Sequence, residues 1–279
     1  MIRRFFIAWG QGLCAALVLG GLGAGPAQAD PARISDLLQT GPIFEILQQE
    51  GVDYGADLSE EMLGQPADPA WRAEVAEIHA PNRLRPPYEA AFAAALEGAD
   101  QRAIEDWLTS DLGHRVVTLE VSARRALLDP DVEEAALIAA ERADAAGDAR
   151  LKAVRAVIEA ADLVEPNVIG GLNANLAFYR AMAAGQAFPY EVTETDMLAE
   201  VAAQEPDIRA DVTGWLEGYL FMAYAPLSLD ELHDCAEFSD SPAGRALMQA
   251  QFAAFDVIYE TSSAALGAAL ARRMAGMEL

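Results

Sequence analysis

The chain has 279 residues, 44 of them acidic and 19 basic, for a formal net charge of −25, and 53% of its residues are hydrophobic. A surface this acidic repels nucleic acid and anionic lipid headgroups, and it suits basic partners or divalent cations where it does more than confer solubility. A chain this apolar has a core to bury, which excludes an acidic disordered tail.

In chain order, residues 1–29 read as a targeting segment. Arg3 and Arg4 form the charged start, Phe5 to Leu22 the apolar stretch, and Ala27-Gln28-Ala29 before Asp30 an Ala-x-Ala cleavage site. The small residues from Gly20 to Ala29 argue against a single-pass anchor. Ile2 stands where a twin-arginine signal wants a polar residue, which favours the general export route. Gln11 stands where lipid attachment at Cys14 wants an aliphatic one. Cleavage after Ala29 leaves 250 of the 279 residues, and losing Arg3 and Arg4 takes the net charge from −25 to −27. Cys235 is then the lone cysteine, so no intramolecular disulfide forms, and it reads as a small buried hydrophobe. The expected location is the periplasm, with no stable membrane span after cleavage.

From Ala32 to Glu50 two short helical pieces carry Ile34, Leu37 and Leu38, then Ile43, Phe44 and Leu47, with a break near Gly41-Pro42. Gly51 to Ala67 is weakly patterned and predicts a loop. Asp68-Pro69 opens a helix with Trp71, Val75 and Ile78 on one face, and Pro81 to Pro87 interrupts it. The helix from Pro87 buries Tyr88, Phe92 and Leu96. Asp100 to Leu108 follows, then a segment from Gly113 through Val117, Val121 and Leu128. Asp129-Pro130 is a fresh start, with Asp131, Glu133 and Glu134 near the positive end of the helix dipole. That helix reaches about Ala146, where Gly147-Asp148 turns it into one containing Leu151, Val154, Val157 and Ile158. Glu165-Pro166 breaks the chain again, and Ile169, Leu172, Leu176 and Tyr179 resume the spacing as far as Gly185. Thr193 with Asp196 marks a capped start. After Pro206, Ile208, Val212, Trp215, Tyr219 and Met222 make the most apolar helical face in the chain. No stretch alternates like a strand. The predicted fold is all-α, about ten helices.

The stretch from Pro226 to Arg245 organises the rest. Ser228 and Glu231 form a capping box, and Leu232 and Cys235 give apolar spacing. Ser241 caps the next helix with Pro242 at its first position, and Met248, Phe252, Phe255 and Tyr259 continue it as a buried stripe. A weaker copy lies 131 residues upstream without a gap: Tyr219 falls on Tyr88, Glu231 on Asp100, Cys235 on Ile104, Phe238 on Trp107, Ser241 on Ser110 and Gly244 on Gly113. Both glycines suit a close approach at a corner. The expected organisation is helix hairpins in two related halves, 30–128 and 129–279, as one continuous layer or as two domains.

Phe238-Ser-Asp-Ser-Pro-Ala-Gly-Arg245, preceded by Leu229-Asp-Glu-Leu232, resembles the signature of the bacterial family catalogued as domain of unknown function 2059. That pattern is an aromatic residue, a Ser-Pro pair, and Gly followed by a basic or polar residue, matched by Phe238, Ser241, Pro242, Gly244 and Arg245. The upstream copy keeps Trp107, Ser110 and Gly113 and departs at Asp111 and His114. The resemblance implies a small helical domain of an exported Gram-negative protein, and it carries no established chemistry.

Nothing else supplies a reaction. His79, His114 and His233 share no metal-ligand spacing, and there is no His-Glu-x-x-His. The acids of Asp53 to Asp57 and Asp207 to Asp211 lack the Gly and terminal Glu of a calcium loop. Glu133 and Glu134 point along different directions of one helix. There is no Gly-x-Ser-x-Gly and no phosphate-binding glycine loop, so no catalytic residue, metal or cofactor is expected. The best place for a site is the crevice between the copies, with Trp107, Trp215, Tyr219 and Phe238 as apolar walls and Arg245 as a polar handle. The leading reading is a noncatalytic envelope protein that binds protein or peptide partners. The competing one is a hydrolase or small-ligand enzyme using dispersed carboxylates, which needs two carboxylates, or a carboxylate and a histidine, facing one another in a pocket.

Overall fold

A computed structural model of the protein describes residues 30–277. The targeting segment read from residues 1–29 lies outside them. The described chain is helical, without strands: α1 Pro31–Leu37, α2 Thr40–Leu63, α3 Pro69–Ile78, α4 Pro81–Ala95, α5 Gln101–Thr109, α6 Asp111–Ala126 and α7 Pro130–Ala146. These are followed by α8 Ala149–Ala160, α9 Val164–Ala184, α10 Glu194–Ala203, α11 Glu205–Ala223, α12 Leu229–Asp240 and α13 Pro242–Met277. Among the described residues no helix is long and apolar enough to cross a membrane.

Most starts are set by one side chain. Asp30, Asp68, Asp100, Ser110, Asp129, Asp148, Thr193 and Ser228 each accept a backbone N–H in the first turn of the helix they precede. Each thereby satisfies a donor that the helix itself leaves unpaired. The capping boxes at Thr193–Asp196 and Ser228–Glu231 are both closed in both directions.

At four places where glycine or proline predicts a break, the structure differs in detail. Gly51 to Ala67 is not a loop, because α2 runs on to Leu63. Gly51 and Gly55 are contact points there: a Cβ on Gly51 would lie 2.4 Å from the His79 ring, and one on Gly55 2.8 Å from Val75. The Gly55 carbonyl accepts the Trp71 indole N–H at 2.6 Å, which locks α3 onto α2. Gly41-Pro42 sits inside the first turn of α2, where proline costs no hydrogen bond, and the chain bends one step earlier at Gln39 (φ 54°). The helix from Asp68 stops at Ile78, as the proline run predicts, but the next one begins at Pro81 and not at Pro87, so Pro86 and Pro87 lie within α4. Tyr88, Phe92 and Leu96 are essentially inaccessible, and their burial outweighs the two donors that proline removes. Glu165-Pro166 likewise opens α9 instead of ending a segment.

The apolar residues gather in two large clusters that do not follow chain order. The first joins α1 to α5 with Phe178 and Met182 of α9 and most of the buried face of α13. The second joins α7, α8, α11 and α12. Helix α6 serves both, giving Val117 and Val121 to the first and Val116 and Ala123 to the second, and Trp107 packs against both. A buried ion pair pins the seam. Arg124 of α6 meets both oxygens of Glu50 on α2, at 2.5 and 2.7 Å, and its guanidinium lies 5.1 Å from the Trp215 ring of α11. Burial pushes the Glu50 carboxyl up to about 7 against the opposing pull of Arg124.

Candidate functional site

Two corners frame the site. Between α5 and α6, Ser110 is extended (φ −66°, ψ 158°), its N–H donates to the Trp107 carbonyl, and its hydroxyl accepts from the Gly113 N–H at 3.0 Å. Between α12 and α13, Ser241 has the same backbone (φ −71°, ψ 158°). It donates to the Phe238 carbonyl and accepts from the Gly244 N–H at 3.0 Å. Glycine is demanded sterically: a Cβ on Gly113 would lie 2.1 Å from the Trp107 carbonyl oxygen, and one on Gly244 2.0 Å from that of Phe238. Each corner therefore fixes the aromatic residue six positions before its glycine. Those two rings, Trp107 and Phe238, stack face to face at 4.3 Å with an interplanar angle of 6°.

The stacked pair borders a cavity of about 120 Å³. Tyr219 and Tyr224 from the end of α11, and Phe255 from α13, complete its aromatic lining, and Leu38 and Ile43 reach it from the α1–α2 junction. The polar residues lining it are Glu120, Asn167, Cys235, Ser239 and Gln251. No lysine, arginine or histidine is among its described lining residues.

Glu120 is the electrostatic centre. The Tyr224 hydroxyl donates to its Oε1 at 2.5 Å. Burial pushes the Glu120 carboxyl up to about 7, against the pull of that hydrogen bond. The residue keeps some accessible surface and lines the cavity. Burial, and then the neighbouring Glu120, hold the Tyr224 phenol well above its ordinary range. Burial likewise pushes the Cys235 thiol up to about 12, with Glu120 adding to it, so the thiol is a poor nucleophile at neutral pH.

Of the residues expected in the crevice, Trp107, Tyr219 and Phe238 line the cavity. Trp215 stands behind this wall, buried and stacked on Tyr219 at 4.9 Å. Arg245 turns back to its own corner, where Asp240 holds it through its backbone carbonyl and, at 2.7 Å, its carboxylate. Glu120 was not singled out from the sequence. A signal for Glu120 was present: Val117, Glu120, Val121 and Arg124 share the i, i+3, i+4, i+7 spacing of one buried face, so two charges stand on an apolar stripe.

Among the described residues the cavity presents a single carboxylate, with no second carboxylate and no histidine lining it. Acids in two shallower depressions are engaged: Asp53 by Gln49, Asp129 at the start of α7, Glu74 by Arg272 and Glu77 by Arg83. His79 is buried at the end of α3 with Nδ1 2.9 Å from the Val75 carbonyl, and His114 and His233 are exposed. Among the described residues no three His, Cys, Asp or Glu side chains converge as a metal site. No protein-family model matches this chain, and no curated protein or solved structure is significantly similar to it.

Proposed function

We propose that this is an exported, noncatalytic binding protein of the cell envelope that engages protein or peptide partners, and that the cavity beside Trp107 and Phe238 receives an anchoring side chain from the partner. One observation carries the reading: an aromatic-walled cavity holds one carboxylate, hydrogen-bonded to Tyr224, with no second carboxylate and no histidine beside it among the described residues. The hydrolase alternative needs such a pair and finds none there. Two related halves are part of the same proposal, supported by the equal roles of Ser110 and Ser241, Gly113 and Gly244, and Trp107 and Phe238 at the two corners. The envelope location rests on the pattern of residues 1–29.

The test is site-directed photo-crosslinking in intact cells. A benzophenone side chain at Leu38, half-exposed at the cavity, is expected to trap a discrete partner, and Phe238→Ala in the same chain to abolish the adduct. A probe at exposed Glu141 on α7 serves as control. Equal adducts from both positions, or none from Leu38, count against the cavity as the contact.

A further inference from the structure

We infer that the anchoring group is a primary alkylammonium, the side chain of a partner lysine, with its methylene stem against Trp107, Tyr219 and Phe238 and its charge on Glu120. This rests on the proposed partner-binding role and adds the chemistry of the group that is bound.

The first ground is charge. Among the described residues Glu120 is the one Asp, Glu, Lys, Arg or His side chain lining the cavity, and its only hydrogen bond there comes from the neutral Tyr224 hydroxyl. A buried carboxylate without a counter-charge is costly, and a partner that brings the missing cation gains what the free protein forgoes. Contrast Glu50, whose burial is compensated from within by Arg124. Glu50 is already paired, and Glu120 faces a cavity.

The second ground is geometry, which favours ammonium over guanidinium. Arginine is held best when both carboxylate oxygens accept in parallel. Tyr224 already donates to Oε1, so the fork would have to displace it or bind through one prong. An ammonium is a point charge with three donors and needs only Oε2 and nearby acceptors. Those are at hand. The Ser239 hydroxyl donates to the Cys235 carbonyl and keeps its lone pairs, and Asn167 donates through Nδ2 to the Leu163 carbonyl, leaving its own oxygen. Gln251 lines the same space.

Size and lining agree. About 120 Å³ is a little below the roughly 150 Å³ of an apolar cavity that binds benzene, which suits a four-carbon stem with its ammonium. Aromatic walls take both parts of that side chain: the stem by apolar contact, the cation through the ring faces. Trp107, Phe238, Leu38 and Ile43 are all half-exposed, which places the approach on their side. At long range a net charge of −25 steers basic segments toward the molecule.

The experiment is titration calorimetry of the protein spanning residues 30–279 with a capped pentapeptide of four glycines around a central lysine. The same peptide is tested with norleucine, arginine or acetyl-lysine at the centre, alongside n-pentylamine. The lysine peptide is expected to bind about tenfold more tightly than the other three. Glu120→Gln should bring lysine level with norleucine. Tyr224→Phe, which frees Oε1, should narrow the preference for lysine over arginine, and it stands as a second readout if Glu120→Gln fails to fold. If norleucine binds as well as lysine, the ammonium inference falls and an apolar anchor survives. If no peptide binds, the partner-binding reading falls with it. Binding of pentylamine alone would assign the cavity to a free amine and overturn the lysine source.

Discussion

At the scale of single residues the two corners make the sharpest demands. Gly113 and Gly244 each abut a carbonyl oxygen of the preceding helix, so any side chain there displaces backbone rather than a yielding neighbour. Gly113→Ala and Gly244→Ala are each expected to cost about 2–3 kcal/mol in urea unfolding. Gly214→Ala is the contrast: nothing lies within 4 Å of a Cβ at this α11 position, and the change is expected to stabilise by about 0.5–1 kcal/mol. Ser110→Ala and Ser241→Ala should each lose about 1 kcal/mol as caps. These positions were legible in the sequence because a cap and its glycine are a local matter, settled within four residues. Glu120 was not legible as a site residue. Its meaning depends on Tyr224, 104 positions away, and on a cavity that no local pattern announces.

At the scale of elements, the structure shows where local rules yield to packing. Helix α2 continues through Gly51 and Gly55 because the absent side chains let α3 come close enough for Trp71 to reach the Gly55 carbonyl. Helix α4 keeps Pro86 and Pro87 because Tyr88, Phe92 and Leu96 anchor it. Glycine and proline read as breakers in a sequence, and only the neighbouring helix decides otherwise. The join between α2, α6 and α11 gives a further test. Arg124→Met strands the Glu50 carboxylate in the core and is expected to cost about 3–5 kcal/mol. Adding Glu50→Leu should recover most of that loss, because two apolar side chains then replace a pair that both had to be desolvated. A double mutant no more stable than Arg124→Met would show that the pair matters by its shape, not its charge.

At the scale of the molecule, the buried acids shape how stability varies with pH. Glu50 and Glu120 are held up near 7 from 4.5, so between those values the unfolded chain releases protons that the native state keeps. Their contribution is complete below about pH 4.5 and is lost as pH rises through 7. His79, held down to about 4 by burial, works in the opposite sense: below 6.5 the unfolded chain takes a proton that the native ring refuses. Glu120→Gln isolates one part of this balance. Against wild type it should remove a loss on the order of 2 kcal/mol between pH 5 and 8, read from denaturant melts at each pH. Parallel curves for the two proteins would mean that Glu120 titrates normally. The all-helical class was legible throughout, from caps and apolar spacing. The assignment of helices to clusters was not, because it depends on contacts between residues more than a hundred positions apart.

Those distant contacts set an order of events. Trp71, Tyr88 and Phe92 belong to the cluster that α13 completes, so an earlier-made part of the chain waits for a later one. While the polypeptide is still growing, its leading segment has an unroofed apolar trough and no way to close it. A version ending at Ser241 should therefore be sensitive to protease from its first helices onward, not merely at its new end. A polypeptide that cannot settle until α13 arrives also stays threadable until then.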